Sequence, residues 1–300
     1  MSKRKLLLTG ATGMLGKHIF SLVSGLPQFE VYPVGKSSPG KFKNFVVSDI
    51  TVLVHFESIV DSLKPEYVIH CAANVNVNAC QQDQERTYNL HVGTSSILAS
   101  KSFISKNIYV STDSVFDGKK GNYLLSDGKN PLNVYAQTKS FGEDMFLKST
   151  QNSVIIRTNI IGFNIPLKNS LFEWIYLSLK EEKPINGFSN IFFNPLYVKT
   201  LAQLMVDSFL LGEAENGIYH FGSSNYLSKY DFAKLVALTF GFNDSLIHPI
   251  NADDHINGVS RPLNTTLNIE ETQKKLRIEF PSLEQELVNI SNDLKYAKRI

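Results

Sequence analysis

The sequence predicts an α/β protein built on a doubly wound parallel sheet, followed by a smaller α/β lobe. The first observation behind this fold class is that short apolar runs alternate with helical stretches through the first 160 residues. Parallel strands need crossover connections, which are usually helices, so this alternation is typical of a parallel sheet. The predicted strands are 5–9, 30–34, 45–47, 67–70, 107–111 and 153–157, and the predicted helices are 14–25, 52–63, 84–103 and 133–148.

The second observation concerns the residues at which four of the predicted strands end. They are Gly10, the Cys71-Ala72-Ala73 segment, Ser111-Thr112 and Arg157-Thr158. Ligands of doubly wound sheets bind at the carboxyl ends of the strands. We therefore expect these four segments to line one crevice.

The first strand and helix enclose a glycine-rich turn in the segment KLLLTGATGMLGKHIFSLV. Gly10, Gly13 and Gly16 let the backbone turn tightly and approach a pyrophosphate, and the helix that follows presents unpaired N–H groups to it. The strand and helix on either side distinguish this turn from an ordinary glycine loop. The sequence therefore predicts a Rossmann-type dinucleotide site, with Thr12, Met14 and Leu15 in the same turn.

The end of the second strand bears on which dinucleotide is bound. NAD-preferring proteins place an acidic residue there to contact the ribose 2′-hydroxyl, whereas this chain has Gly35, Lys36, Ser37 and Ser38. A cation and two hydroxyls suit a 2′-phosphate, so we expect NADPH to be preferred, with NADH possible. A lysine in solvent with no ligand is the alternative interpretation of Lys36.

Tyr135 and Lys139 lie four residues apart on a predicted helix, behind a strand that ends at Thr112. Residues at this spacing face the same way, and a neighbouring cation favours the ionised form of a phenol, whose ordinary pKa is about 10. Solvated helix faces also carry such pairs. Because a nucleotide site is predicted in the same chain, we interpret Tyr135 and Lys139 as a candidate catalytic pair.

Beyond residue 160 the pattern loosens into a smaller α/β lobe. The predicted elements are helices at 170–182, 198–211, 228–240, 270–275 and 283–293, and the strand GIYHF. We expect residues 1–160 to form the nucleotide-binding domain and residues 161–300 the substrate lobe, with some chain crossing and with the substrate between the two.

Composition and charge exclude several classes of function. The formal charge of +2 comes from 30 basic and 28 acidic residues without blocks, so the sequence does not indicate binding to nucleic acid or to a membrane surface. The apolar run after MSKRK is shorter than a signal peptide core, and no stretch reaches the length of a membrane helix. We expect a soluble, cytoplasmic protein. Cys71 and Cys80 and the seven histidines show no metal-ligand spacing, so we predict no protein-built catalytic metal.

Five motifs together identify a family. They are GATGMLG at 10–16, STDSVFDG at 111–118, PLNVYAQTKSFGE at 131–143, IIRTN at 155–159 and RPLNTTLN at 261–268. With these motifs in this order the chain resembles the extended short-chain dehydrogenases/reductases and, within them, the dTDP-4-dehydrorhamnose reductase family. The resemblance implies a catalytic triad of Thr112, Tyr135 and Lys139, with Tyr135 as proton donor, and a homodimer.

The resemblance also implies the remaining site residues. Further cofactor contacts are expected at Asp49, Ile50, Cys71, Ala72, Ala73 and Thr158. Substrate contacts are expected at Asn74, Asp113, Ser114, Val115 and Arg261. Arg261 suits a diphosphate because a guanidinium binds such groups with two parallel hydrogen bonds, and a salt bridge within the second lobe is the alternative.

Departures from the family pattern leave three functions open. The family has an aromatic residue where this chain has Ser114, and two acidic positions are occupied by amides in the segment 76–81. The first candidate is an NADPH-dependent reductase of a nucleotide-activated 4-keto-6-deoxy sugar. The second is another sugar-nucleotide epimerase or reductase of the extended family. The third is a non-catalytic NADP-binding regulatory subunit.

Overall fold

The computed structural model describes residues 3–38, 40, 42–149, 152–252, 255–256 and 258–297. Its strands are β1 Arg4–Thr9, β2 Phe29–Gly35, β3 Val46–Val47, β4 Tyr67–His70, β5 Lys106–Val110, β6 Ser153–Thr158, β7 Ile160–Ile161, β8 Ile185–Phe188, β9 Phe192–Phe193, β10 Leu196–Tyr197, β11 Gly217–Phe221, β12 Leu227–Ser228, β13 Ile247–Ile250, β14 His255–Ile256 and β15 Val259–Ser260. Its α-helices are α1 Met14–Ser24, α2 Leu53–Leu63, α3 Val77–Gln82, α4 Gln84–Tyr88, α5 Thr94–Ser100, α6 Val134–Lys148, α7 Leu171–Lys180, α8 Val198–Val206, α9 Lys229–Phe240, α10 Glu270–Leu276 and α11 Leu283–Ala297.

Seven strands form the main sheet, in the order β3-β2-β1-β4-β5-β6-β11. The five neighbouring pairs from β3 to β6 all run parallel. Strands β2 and β3 lie on one side of β1, and β4, β5 and β6 lie on the other, so the strand order switches sides between β1 and β4. Ligands of such sheets bind at this switch point. The predicted Rossmann-type doubly wound sheet is confirmed.

The central strand β1 shows why the sequence folds this way. Its residues Leu6, Leu7 and Leu8 are all completely buried, so both faces of the strand are covered. A strand covered on both faces is a continuous apolar run rather than an alternating one. The helix α6, which carries Tyr135 and Lys139, begins after Asn133, whose side chain accepts a hydrogen bond from the Ala136 N–H at 3.0 Å.

The chain divides into two compact units that are interleaved in sequence. The first unit contains Met1–Val115, Pro131–Arg157 and Ala202–Tyr219, and the second contains Phe116–Asn130, Thr158–Leu201 and His220–Ile300. The division at Arg157 lies close to the predicted boundary at residue 160. Two segments, 116–130 and 202–219, belong to the unit on the other side of that boundary.

Several elements differ from the sequence prediction. The strand GIYHF, which the sequence assigned to the second lobe, is β11 at the edge of the main sheet. The single helix predicted over 84–103 is α4 and α5 joined by a π-helical turn, Asn89–Gly93. The short helix α3 was not predicted, because its six residues are too few to show a helical period.

Candidate active site

The glycine turn after β1 places bare backbone where a side chain has no room. Gly10 adopts a φ of +69°, and a Cβ on it would lie 2.7 Å from the backbone nitrogen of Ala72. A Cβ on Gly16 would lie 2.2 Å from the carbonyl oxygen of Gly10. The Gly13 N–H donates to the same Gly10 oxygen at 2.9 Å, and α1 begins after Gly13 without a side-chain cap. The turn therefore presents a flat surface and uncapped helix N–H groups, as a pyrophosphate requires.

The burial of the other predicted turn residues limits how they can contact a nucleotide. Thr12 and Met14 are partly exposed, whereas the Leu15 side chain is 6% exposed and packs in the core. A contact at Leu15 is therefore available only through its backbone.

We expect Gly16→Ala to weaken NADPH binding by at least about tenfold, because the new methyl group cannot fit unless the turn moves. Gly128→Ala is the matched control, since a Cβ there meets no heavy atom within 4 Å. Fluorescence titration of NADPH measures both variants. Wild-type affinity in Gly16→Ala would show that the turn does not bind the cofactor.

The end of β4 is fixed by buried hydrogen bonds. Thr9 Oγ1 lies 2.6 Å from His70 Nδ1 and accepts the Ala72 N–H at 3.3 Å. Burial, together with the charge of Lys139, lowers the pKa of His70 to about 3, so the imidazole is neutral. Burial raises the pKa of the Cys71 thiol to about 12, and this cysteine is therefore not a thiolate near neutral pH.

The predicted triad lies at the end of β5 and the start of α6, within the first unit. Thr112 is 5% exposed, and its hydroxyl donates to Asp113 Oδ1 at 3.0 Å and accepts the Ser114 N–H at 3.2 Å. The Lys139 side chain is fully buried, and its Nζ donates to the carbonyl oxygen of Val110 at 2.6 Å. The same nitrogen lies 3.9 Å from the ring centroid of Tyr109, a cation–π contact.

The pKa of Tyr135 shifts in the direction opposite to the one predicted from its lysine neighbour. Burial raises it to about 12, although a side-chain hydrogen bond with Thr112 acts in the other direction. Burial also lowers the pKa of Lys139 to about 7, against the charge of Glu143. The cost of burying the phenolate exceeds any gain from the lysine, so the phenol stays protonated in the cofactor-free protein.

Three predicted residues follow Thr112 in a 3₁₀ turn, Asp113–Val115. Asp113 is 2% exposed, and its Oδ1 accepts from the hydroxyls of both Thr112 and Ser114. Ser114 is half-buried. The Val115 side chain is completely buried, so a substrate contact through that side chain is not available.

The structure contains a buried ion pair between Glu143 and Arg157 that the sequence analysis did not predict. Glu143, one turn after Lys139 on α6, accepts from Arg157 Nη2 at 2.8 Å and from the Ser111 hydroxyl at 2.5 Å. Glu143 and Arg157 are both at most 2% exposed. These bonds join the ends of β5 and β6 to the helix that carries Tyr135, which fixes the position of that helix.

His91 is a second residue that the sequence did not single out. It is fully buried in the π-helical turn Asn89–Gly93, and its ring lies edge-on to the ring of Tyr135, with centroids 5.8 Å apart. Its Nε2 accepts the Asn74 N–H at 3.1 Å, so the proton of the neutral ring is on Nδ1, which donates to Thr138 Oγ1 at 2.8 Å. His91 therefore links the predicted substrate residue Asn74 to the helix of Tyr135.

Charged side chains cluster beyond the end of β2. Lys36 Nζ lies 3.6 Å from Asp49 Oδ2, and Arg86 Nη2 contacts the same oxygen. Burial by itself raises the pKa of Asp49, but hydrogen bonds from Thr51 and Arg86 and the charge of Lys36 outweigh it and lower that pKa to about 2. Of the other residues predicted here, Ser37 is exposed and the Ile50 side chain is 7% exposed.

The remaining predicted residues, Thr158 and Arg261, belong to the second unit. Thr158 is buried at the end of β6, and Arg261 is half-buried with its Nε shielded from solvent and without a hydrogen-bond partner among the described residues. The RPLNTTLN segment that begins at Arg261 pairs with the loop after Phe116, where the Asn264 N–H donates to the Gly118 oxygen at 3.0 Å. Two of the sequence motifs therefore contact each other in this unit.

The described residues contain no group of three or more His, Cys, Asp and Glu side chains placed to hold a metal ion. Within the same part of the chain, no helix combines the length and the apolar character needed to cross a membrane.

Comparison with known proteins identifies the family. The sequence model described as the RmlD substrate binding domain matches residues 4–296. The chain belongs to this family. The resemblance stated from the sequence motifs is thereby confirmed.

Proteins with two different names are similar to this chain. A dTDP-4-dehydrorhamnose reductase from Aggregatibacter actinomycetemcomitans is 29% identical over 299 residues, covering 95% of this chain and 98% of the relative. The methionine adenosyltransferase 2 subunit beta of Danio rerio is 26% identical, covering 88% of this chain and 82% of the relative.

Solved structures share the fold. A hypothetical dTDP-4-dehydrorhamnose reductase from Sulfolobus tokodaii is 26% identical, with a TM-score of 0.80 and coverage of 93% and 97% of the two chains. A dTDP-4-dehydrorhamnose reductase from Bacillus anthracis, in complex with NADP, has a TM-score of 0.83 at 23% identity and covers 98% of this chain and 99% of its own. At 23% identity the second likeness supports the fold alone.

Proposed function

We propose that this protein reduces the keto group of a nucleotide-activated 4-keto-6-deoxy sugar, with NADPH as the hydride donor. The observation that carries the proposal is the convergence of Thr112, Tyr135 and Lys139 at the end of β5, with the phenol of Tyr135 protonated. The Aggregatibacter relative, whose name is dTDP-4-dehydrorhamnose reductase, supports this choice of substrate class.

Tyr135 is the proton donor in this proposal. When bound, NADPH would supply the hydride that reduces the keto group to an alkoxide. Because burial raises the pKa of Tyr135 to about 12, the phenol holds its proton at neutral pH and can deliver it to that oxygen. A raised pKa therefore suits the reductive direction, in which the tyrosine must start protonated.

Thr112 is the second hydroxyl of the predicted triad. In the cofactor-free protein it donates its hydrogen to Asp113 and accepts the Ser114 N–H. To donate to a substrate carbonyl, Thr112 must rotate its hydroxyl away from Asp113, and we assign it to stabilising the alkoxide.

Lys139 supplies the positive charge that a tyrosinate needs after proton transfer. Its ammonium is held by the Val110 carbonyl oxygen and the face of the Tyr109 ring, one helical turn from Tyr135. With cofactor bound, we expect this ammonium to contact the nicotinamide ribose.

The described residues fit a dinucleotide phosphate. Gly10 and Gly16 leave a flat backbone surface, and Lys36 lies at the end of β2 where an acidic residue is typical of NAD sites. We infer that the first unit binds the cofactor and that Arg261 contacts the sugar nucleotide. Arg261 is suited to this because its buried Nε lacks a partner among the described residues.

A second candidate is a non-catalytic regulatory subunit, which the similarity to methionine adenosyltransferase 2 subunit beta favours. The complete triad favours the enzyme, because a subunit that only binds NADP does not need a buried phenol such as Tyr135 that holds its proton. A third candidate, a sugar-nucleotide epimerase, is distinguished by a cofactor that stays bound and is not consumed.

We further propose that the protein acts in the cytoplasm as a homodimer. Analytical ultracentrifugation tests the dimer.

The experiment is NADPH oxidation by the purified protein with a panel of dTDP-, GDP- and UDP-4-keto-6-deoxy sugars. We expect turnover with at least one sugar and consumption of one NADPH per product. Tight NADPH binding without oxidation of any sugar in the panel would contradict the reductase proposal and favour the regulatory subunit.

A further inference from the structure

The cation cluster beyond β2 has a geometry that the cofactor preference alone did not predict. Lys36 leaves the end of β2, and Arg86 comes from the short helix α4, fifty residues later in the chain. Both cations contact a single atom, Oδ2 of Asp49. The other carboxylate oxygen, Oδ1, accepts the Thr51 hydroxyl at 2.8 Å and the Thr51 N–H at 3.2 Å.

This arrangement already surrounds one anionic oxygen with two cations. The net charge of the three side chains is +1, from two cations and one carboxylate. A phosphate oxygen placed between the cations finds the same two partners, and an arginine binds it through charge-assisted hydrogen bonds. The side chains of Lys36 and Arg86 are 64% and 47% exposed, so a ligand can reach both.

The cluster lies beside the glycine turn. A Cβ on Gly35, the residue before Lys36, would lie 3.4 Å from Cγ2 and 3.6 Å from Oγ1 of Thr12. A nucleotide whose pyrophosphate lies on the turn therefore extends its adenosine ribose toward the end of β2, where such folds read the 2′ position.

We propose that Arg86 is a second residue that reads the adenosine 2′-phosphate, together with Lys36, and that Asp49 holds the two cations in place until the phosphate binds. Lys36 alone is a compact, flexible charge, whereas Arg86 adds a planar donor from a different element. When the nucleotide binds, a phosphate oxygen replaces Asp49 Oδ2 as the partner of Lys36 and Arg86. This inference rests on the proposed use of NADPH and is independent of which sugar is reduced.

The test compares two ligands that differ only at the 2′ position, 2′,5′-ADP and 5′-AMP, by calorimetric titration of the whole protein. In Arg86→Ala we expect the affinity for 2′,5′-ADP to fall by at least about tenfold, the loss typical of a charge-assisted hydrogen bond, and that for 5′-AMP to change less than twofold. Lys36→Ala is expected to show the same pattern. Lys101→Ala removes an equal charge from an ion pair with Glu57 and Asp61, and we expect it to change neither affinity.

Equal losses for both ligands in Arg86→Ala would overturn the proposal, because they would place Arg86 on the adenine or the 5′-phosphate. No loss for either ligand would overturn it as well. Failure of the sugar reduction leaves both results unaffected, so the two proposals fail separately.

Asp49→Asn gives a test with the opposite sign, which does not depend on the stability of the Arg86 variant. Removing the carboxylate raises the net charge of the cluster from +1 to +2, so the ratio of 2′,5′-ADP affinity to 5′-AMP affinity is expected to rise at least about threefold and to fall with added salt. A ratio that stays the same or falls in Asp49→Asn would contradict the assigned role of Asp49.

Discussion

Replacing Tyr135 with phenylalanine is expected to lower kcat at least about a hundredfold, the low end of the range for a general acid. The variant loses one oxygen atom and keeps the ring that packs edge-on against His91. NADPH affinity is expected to stay within about twofold of wild type, because the glycine turn and the cation cluster are untouched. Steady-state kinetics with the sugar that the panel identifies and a fluorescence titration measure the two quantities.

Tyr88→Phe is the matched control, since it makes the same chemical change at a side chain that is 50% exposed on α4. Wild-type kcat in Tyr135→Phe would remove the proton donor from the proposal. A fall in NADPH affinity as large as the fall in kcat would instead assign Tyr135 to cofactor binding.

Replacing Lys139 with methionine is expected to abolish most of the activity and yet to stabilise the fold near neutral pH. Burial lowers the pKa of Lys139 from 10.5 to about 7. Keeping the buried ammonium charged therefore costs on the order of 5 kcal/mol below pH 7. Methionine avoids this cost but removes the hydrogen bond to the Val110 carbonyl oxygen. Leaving that oxygen without its partner destabilises the folded variant by roughly 1 to 3 kcal/mol, which is less than the cost avoided.

The pH dependence of this effect follows from the direction of the pKa shift. Between about pH 7 and 10.5 the unfolded chain binds a proton at Lys139 that the folded chain does not. The free energy of unfolding of the wild type therefore rises with pH through this window, and the penalty is fully present below it. The advantage of Lys139→Met should be largest at pH 6 and should shrink toward pH 10.

Urea unfolding at pH 6, 8 and 10 measures this dependence, with Lys148→Met on the exposed face of the same helix as control. An advantage of equal size at all three pH values would show that Lys139 titrates as an ordinary lysine. That result would contradict the energetic cost assigned to the buried ammonium, while the kcat of the variant would still test the catalytic role of Lys139.

The sequence predicted the parts of the site that recur at fixed spacing. The glycine turn and the Tyr135–Lys139 pair are local patterns whose geometry follows from a strand, a turn and a helix. The order of the strands did not follow in the same way, because β11 reaches the sheet edge through contacts distant in sequence.

Arg86, Glu143 and His91 were missed for the same physical reason. Each is a single polar residue whose partner lies on another element, so its neighbours along the chain do not show which residue it contacts. Glu143 meets Arg157 across α6 and β6, and Arg86 meets Asp49 at a separation of 37 residues. The direction of the Tyr135 pKa shift was wrong from sequence because the sequence shows the lysine but not the depth of burial.

The most direct test of the central claim is to follow the hydride. NADPH carrying deuterium at the transferable C4 position is incubated with the protein and the 4-keto-6-deoxy sugar nucleotide, and the product is analysed by mass spectrometry and NMR. We expect one deuterium at the former keto carbon of the sugar, incorporated at a rate that falls at least about a hundredfold in Tyr135→Phe. A sugar recovered without deuterium, from a protein that binds NADPH tightly, would contradict it.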